Sequence, residues 1–385
     1  MNKKSIKKIF RKLHLYTGFI SGLIVFILSI TGCCWVFNKE IKNYFDDYSQ
    51  IIPQNKEVLS PLKIKEIAAE VFPGHLIHGI AYQGDNKATE VIFYEADPEF
   101  YRSVYINPYD GKVLHSEDHL SGFFAFVLRG HVSLWLPEDI GTPLTSYGTF
   151  TFLFIIISGI VLWWPNSKKQ RKQRFTFDWN EKTKWKRKNY DLHSIVGFYA
   201  SALSLTIAYT GVVIGLGWFA FVTYKAVGGE KSLYFLHPNN DSEVNITLTD
   251  ENNAMHNIYP LVKEQYPDFE TIEVHIPSED SLSILVEVIY GDRYYDIDYL
   301  FYDQYSSQLI PTESIYGTYA DANFSDLVMR MNYDIHVGSI LGLTGKIIAF
   351  LTSLIVSTLP VTGFLMWYGR NFKKKNVPQK ASVII

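Results

Sequence analysis

Four histidines recur at matched places in the chain. His14 is followed by Gly18-Phe19 and, 17 residues after the histidine, by Thr31-Gly32; His193 is followed by Gly197-Phe198 and, again 17 residues on, by Thr210-Gly211. His131 and His336 lie 28 and 27 residues ahead of the glycines that open Gly159-Ile-Val-Leu-Trp163 and Gly363-Phe-Leu-Met-Trp367. Neutral imidazole is the commonest protein ligand for metals. A pair of imidazoles from two helices is a common axial set for b-type haem, held in the core of a helical bundle. The two cysteines, Cys33 and Cys34, are adjacent, which excludes a disulfide scaffold and a cysteine-based iron–sulfur or zinc site. No Cys-x-x-Cys-His run is present, so any haem would be held noncovalently. A plainer reading competes at each histidine alone. Asn189-Tyr-Asp-Leu-His193 and Asn332-Tyr-Asp-Ile-His336 are near copies, in which Asp191 and Asp334 are predicted to cap a helix with the histidine in its first turn. Four histidines at symmetric positions favour two ligand pairs, His14 with His193 and His131 with His336.

The residues around these histidines support either ligand binding or ordinary packing. Gly18 and Gly22, Gly197 and Ser201, and Gly338 and Gly342 could admit a flat macrocycle against the backbone, or allow close helix contact. Arg11, Lys12, Arg187, Lys188, Arg129 and Arg330 lie near the four histidines and could pair with propionates, or could only set topology. Among the other histidines, His75-x-x-His78 and His115-x-x-x-His119 have spacings that could bind metal, but neither has a partner at the matching place in the other repeat; with His237, His256 and His275 they are taken as surface or core residues. Lys346 is expected to snorkel to an interface, and Cys33-Cys34 to be small packing residues. No phosphate loop, dinucleotide fingerprint, Ser-His-Asp spacing or zinc-protease motif appears, so no site for NAD, flavin or ATP is expected.

The elements that must carry these histidines are membrane helices. Of 385 residues, 47% are apolar and only 19% charged, below the soluble average of about 25%. The 26 Tyr, 26 Phe and 8 Trp suit interfacial belts. Four apolar windows, 13–37, 145–164, 195–222 and 346–367, are long enough for a bilayer, which takes roughly 20 helical residues. Residues 1–12 carry 6 Lys plus Arg and no acid, residues 165–190 carry 10 against 2, and residues 368–385 carry 5 against none. Residues 38–142 carry 9 basic against 16 acidic, and residues 225–335 carry 5 against 20. Because positive charge stays inside, both termini and the basic loop are expected in the cytoplasm and both long segments outside it. This predicts a multi-pass protein of the inner (cytoplasmic) membrane. The net charge of −3 gives no support for nucleic-acid binding. Ile30-Thr31-Gly32-Cys33 resembles a lipoprotein cleavage box, but the internal repeat argues that the first helix is kept.

The outer segments repeat as well. Tyr105–Leu114 aligns with Phe301–Ile310, each as strand, turn, strand. Helix-like stretches at Pro61–Phe72 and Asn253–Tyr266, and alternating segments at Thr89–Tyr94 and Ser283–Tyr290, precede them. The fold class expected is an α-helical membrane protein with four transmembrane helices and two extracytoplasmic α+β domains. They form a tandem parallel repeat of helix, outer domain, helix.

These residues resemble the PepSY-associated transmembrane family, also called iron-regulated membrane proteins. The likeness rests on Lys12-Leu-His14 through Gly18, Arg129-Gly-His131, Gly159 to Pro165, Asp191-Leu-His193 through Phe198, Thr210-Gly211, and His336 through Gly342. Tyr105–Leu114 resembles the PepSY signature itself; Tyr302–Ile310 does so less well, because Ser306-Ser307 stands where Asp110-Gly111 does in the first copy. The family includes bacterial inner-membrane ferric-siderophore reductases with two b haems. The resemblance implies an oxidoreductase in which His14 and His193 hold a cytoplasmic-side haem and His131 and His336 an outer-side haem. Electrons would pass from an unnamed donor to a periplasmic ferric siderophore. The acidic outer segments favour a neutral or cationic complex such as a hydroxamate over an anionic catecholate. Two rival readings are a haem-free PepSY membrane protein that regulates periplasmic partners, and a transporter subunit. No span holds a central acidic residue, which counts against the transporter.

Overall fold

The computed structural model describes residues 3–45, 47–165, 167–240 and 254–372. The tail beyond 372 and the expected helix start at Asn253 lie outside the described residues. The chain runs α1 (Lys3–Trp35), α2 (Asn38–Phe45), α3 (Pro61–Val71), β1 (Ile77–Tyr82), β2 (Thr89–Ala96), β3 (Glu99–Ile106) and β4 (Val113–Asp118). It continues through α4 (Gly122–Ser133), α5 (Glu138–Trp163), α6 (Lys168–Phe175), α7 (Trp185–Asp191), a π-helical turn (Leu192–Val196), α8 (Gly197–Gly215) and α9 (Gly217–Ala226). The second half adds α10 (Ile258–Gln265), β5 (Thr271–His275), β6 (Ile284–Ile289), β7 (Asp298–Tyr302), β8 (Leu309–Ile310), α11 (Phe324–Val337) and α12 (Gly342–Asn371).

Among the described residues, four stretches are long and apolar enough to cross a bilayer: Ser5–Phe45, Glu138–Trp163, Trp185–Gly215 and Ser339–Asn371. Only 22% to 33% of their apolar windows is buried within the protein, so most of that surface is left for lipid. The third span ends at Gly215, short of the expected 222, because the extended backbone of Leu216 separates α8 from α9. One unit groups residues 1–33, 130–209 and 350–385, most of the spanning helix; the other groups residues 34–129 and 210–349.

The second unit is built on one antiparallel sheet of eight strands, in the order β4-β3-β2-β1-β5-β6-β7-β8. This corrects the expectation of two separate domains. Each half contributes four strands, and β1 pairs with β5 from Gly79↔His275 to Tyr82↔Ile272. An unpaired edge strand leaves a row of backbone donors and acceptors open; joining edge to edge satisfies both. One face of the sheet holds an apolar core of Ile80, Tyr82, Val91, Phe93, Val104, Ile106, Ile272, Val274, Val286 and Leu300. α3 and α10 cover it with Ile64, Ala68, Ile258 and Val262. The start of α3 is fixed by Pro61 in its first turn and by Ser60, whose Oγ accepts from Lys63 N.

Both PepSY-like hairpins form. Asn107 N donates to Lys112 O at 2.9 Å and Gly111 N to Asn107 O at 2.9 Å; Asp303 N donates to Gln308 O at 2.9 Å and Ser307 N to Asp303 O at 3.0 Å. Gly111 has φ +74° and Ser307 has φ +58°. The serine is held in this left-handed conformation because the Asp303 carboxylate accepts from Tyr305 N at 2.9 Å and Ser306 N at 2.8 Å. The departure from Asp-Gly therefore does not break the pairing.

α11 opens with a reciprocal capping box between Asn323 and Asp326 and closes at Gly338, with φ +85°. Lys346 does not snorkel. It is buried at the start of α12, and its Nζ meets Glu40 Oε1 of α2 at 2.6 Å.

Candidate functional site

The His14 and His193 ring centres lie 6.3 Å apart, with the ring planes nearly perpendicular at 87°. Neither histidine opens its helix as expected. His14 lies within α1, and His193 lies in the π turn that joins α7 to α8. Such turns interrupt the regular ladder and occur often at functional sites.

Each ring is held from behind by the helix that follows in its own repeat. His14 Nδ1 lies 2.9 Å from Ser158 Oγ and 3.1 Å from Ile155 O on α5. His193 Nδ1 lies 2.9 Å from Thr362 Oγ1 on α12. The tautomers follow from the partners. Ser158 Oγ already donates to Ile155 O at 2.9 Å, and Thr362 Oγ1 donates to Thr358 O and Leu359 O, both at 3.0 Å. A carbonyl can only accept, and a hydroxyl whose proton is spent accepts as well. Nδ1 is therefore the N–H donor in both rings, and Nε2 carries the lone pair.

The spacing between the rings has a chemical meaning. An imidazole nitrogen bonds a metal at about 2.0–2.1 Å and lies about 1.1 Å from its own ring centre, so two imidazoles on opposite sides of one ion stand about 6.2 Å apart. The observed 6.3 Å fits that arrangement. A hydrogen bond from each Nδ1–H to a fixed oxygen is also the usual support for a histidine that ligates through its other nitrogen. Glycine follows each hydroxyl residue. A Cβ on Gly159 would lie 3.3 Å from His14 Cε1, and one on Gly363 would lie 3.3 Å from His193 Cε1. A side chain here would press on the ring, so the Ser158-Gly159 and Thr362-Gly363 pairs supply the anchor and the clearance together.

His131 and His336 are held in the same way, each within its own unit. His131 Nδ1, on α4, is 3.1 Å from Thr31 Oγ1 and 3.1 Å from Leu28 O on α1. A Cβ on Gly32 would lie 3.4 Å from His131 Cε1. Thr31 Oγ1 donates to Ile27 O at 2.8 Å, which again makes Nδ1 the donor. His336 Nδ1, near the end of α11, is 3.1 Å from Thr210 Oγ1 on α8.

The repeated pentapeptide now has a physical reading. Asn189 Nδ2 donates to Thr362 O at 3.0 Å, and Asn332 Nδ2 donates to Thr210 O at 3.1 Å. In each copy the asparagine holds the backbone of the same threonine whose hydroxyl orients the histidine four residues on. The aspartates are not helix caps. Asp191 accepts from Trp179 Nε1 at 3.0 Å and Arg187 Nε at 2.8 Å inside a continuous helix. Asp334, fully buried, accepts from Tyr294 N and Tyr295 N at 2.9 Å each and from the Ser339 hydroxyl. Burial pushes its carboxyl above the usual range despite these donors.

The chain matches the family model for the PepSY-associated TM region over residues 11–370. It belongs to that family. No match is found among curated proteins. In this PepSY-associated protein the proposed propionate partners differ in standing. Arg187 is paired with Asp191, and Arg330 is buried with its guanidinium on Gly317 O and Ile297 O, over the Tyr299 ring. Arg11 and Lys12 are exposed on α1, within a turn of His14. Gly18 has open space at its Cβ position, whereas Gly22 packs on Pro360 and Gly197 on Leu359.

Among the remaining histidines, His75 stacks on Phe100 with ring centres 3.6 Å apart, His115 stacks on Tyr48 at 4.0 Å, and His237 Nε2 bonds Ser283 O at 2.8 Å. These are packing and surface roles. His78 and His275 differ: their rings meet at 4.8 Å beside Glu273, a residue that sequence reasoning missed.

Proposed function

We propose that this protein carries electrons across a bilayer through two noncovalent b-type haems and delivers them to a ferric siderophore outside the cytoplasm. The single observation that carries the reading is the 6.3 Å spacing of His14 and His193, with Nδ1 of each anchored. When bound, haem b supplies one-electron iron chemistry with no open coordination site, which suits transfer over oxygen binding. When haem is bound, His14 and His193 would hold one iron through Nε2, with Ser158 and Thr362 fixing the rings. The repeat suggests His131, oriented by Thr31, and His336, oriented by Thr210, as the residues that would serve a second haem. Small residues clear the ring edges, and the apolar helices exclude water.

The charge asymmetry sets the direction. Basic segments at 1–12 and 165–190 lie in the cytoplasm, and the acidic segments 38–142 and 225–335 face the acceptor. Those acidic segments carry 36 Asp plus Glu against 14 Lys plus Arg, which repels anionic chelates within roughly a Debye length of about 8 Å. The acceptor class is therefore a neutral or cationic ferric hydroxamate. Its reduction to Fe(II) weakens a hard-oxygen chelate and frees the iron.

The test uses full-length protein purified from haem-replete cells and reduced anaerobically with dithionite. Ferric complexes of differing charge are added, and reoxidation is followed by absorbance. The reading expects fast reoxidation by a ferric hydroxamate and slower reoxidation by a catecholate at matched driving force. No reoxidation by any ferric chelate removes the reductase function.

A further inference from the structure

The face of the sheet opposite the apolar core carries a row of side chains that, apart from Ala81, are polar. Tyr105, Glu90, Ala81, Glu273, Glu287 and Tyr299 stand directly opposite one another across β3, β2, β1, β5, β6 and β7. At the seam between the two halves this row meets a second histidine motif. Thr271-Ile-Glu-Val-His275 alternates, so Glu273 and His275 share the polar face. His78 joins them through a bulge. The pairing of β1 with β2 slips between Ile77↔Phe93 and Gly79↔Ile92, leaving His78 as the extra residue. Ile77 and Ile80 remain on the core side, and the bulge turns His78 toward His275.

The geometry points to a site for a divalent transition-metal ion held by His78, Glu273 and His275. One ligand atom from each lies within 4.8 Å of the other two. Two atoms bound to one metal at about 2.0–2.2 Å in a tetrahedral site stand about 3.4 Å apart. His275 Nε2 lies 3.5 Å from Glu273 Oε1 and 3.3 Å from Glu287 Oε1. That nitrogen is buried and makes no hydrogen bond. A buried polar atom left without a bond is costly, and here two carboxylate oxygens converge on it. A cation among the three ligands satisfies all of them, and Glu287 either completes or orients the set. Gly79 leaves the room: a Cβ there would lie 2.4 Å from Glu273 Oε1. His78 is exposed and gives the ion a route in from solvent.

The donor set selects the class of ion. Two imidazoles with one or two carboxylates suit zinc, ferrous iron or cobalt; calcium and magnesium prefer all-oxygen shells. Because β1 comes from the first repeat and β5 from the second, the ion would clamp the two halves of the sheet at their seam.

The experiment uses the full chain in detergent, stripped with chelator and dialysed against buffered zinc, with bound metal counted by mass spectrometry. Zinc is distinguishable from any haem iron in the same sample. One zinc per chain is expected, unaffected by millimolar calcium or magnesium. His78→Ala and Glu273→Gln should each weaken binding at least tenfold, while His75→Ala, a similarly placed histidine outside the cluster, leaves it unchanged. His78 is exposed, so its substitution should not unfold the protein, and zinc should raise the melting temperature of the wild type but not of His78→Ala. Absence of stoichiometric zinc in the wild type, or equal binding by His78→Ala and Glu273→Gln, would overturn the assignment. His14→Ala should keep its zinc, which separates this site from the haem reading.

Discussion

Thr362→Val isolates the orientation of His193 from its presence. Valine nearly matches threonine in shape, so the packing of α12 is retained and one hydroxyl is lost. That hydroxyl accepts from His193 Nδ1 at 2.9 Å and is itself anchored on two backbone carbonyls at 3.0 Å. A hydrogen bond of this kind contributes about 0.5–1.5 kcal/mol net. The bond gives the imidazole more electron density, which favours ferric over ferrous iron. If its whole value is differential between the two oxidation states, its loss raises one midpoint potential by about 20–65 mV, since tenfold corresponds to 59 mV for one electron. The assay is a spectroelectrochemical titration of wild type and variant in the same detergent. One of two haem potentials should rise by that amount and the other stay fixed, with the six-coordinate spectrum kept. A fall in potential, or an equal shift of both haems, would refute the assigned tautomer and its role.

Two further predictions concern stability. Ser307→Gly removes the side chain from a residue held at φ +58° and should raise the unfolding free energy by about 1 kcal/mol in a thermal or denaturant melt. Glu40→Leu alone leaves the buried Lys346 ammonium with only the more distant Asp292 carboxylate, 3.9 Å away, and should cost about 2 kcal/mol by the same measurement, whereas Glu40→Leu combined with Lys346→Met should come close to wild type.

Much of the site was legible as pattern before its cause was. The Thr31-Gly32, Thr210-Gly211 and Gly159 and Gly363 motifs mark the repeat in sequence, but only the packed helices show that a hydroxyl beside a glycine holds a histidine ring. The four histidines were found because their spacing repeats. Asp191 and Asp334 were misread as caps because a local Asp-x-His pattern carries no information about where the helix began. The Lys- and Arg-rich run after Trp185 extends it upstream of Asp191. The single sheet was not legible because β1 and β5 are far apart in the chain and each alternates as any half-buried strand does. The spacing His75-x-x-His78 names the wrong partner for His78 for a related reason: a one-residue bulge reverses the side its side chain takes, and no residue type announces it. Lys346 looked like an interfacial lysine until Glu40, from the other repeat, proved to be its partner.

The central claim is that His14 and His193 hold one haem iron between perpendicular rings. Electron paramagnetic resonance of the oxidised, haem-replete protein tests it directly. Imidazole planes at 87° should give a low-spin ferric signal of the strongly anisotropic type, with one large g value, and His193→Ala should abolish it while leaving the second haem in place. A protein purified without haem from haem-replete cells, or one whose low-spin signals survive His193→Ala unchanged, would contradict the account.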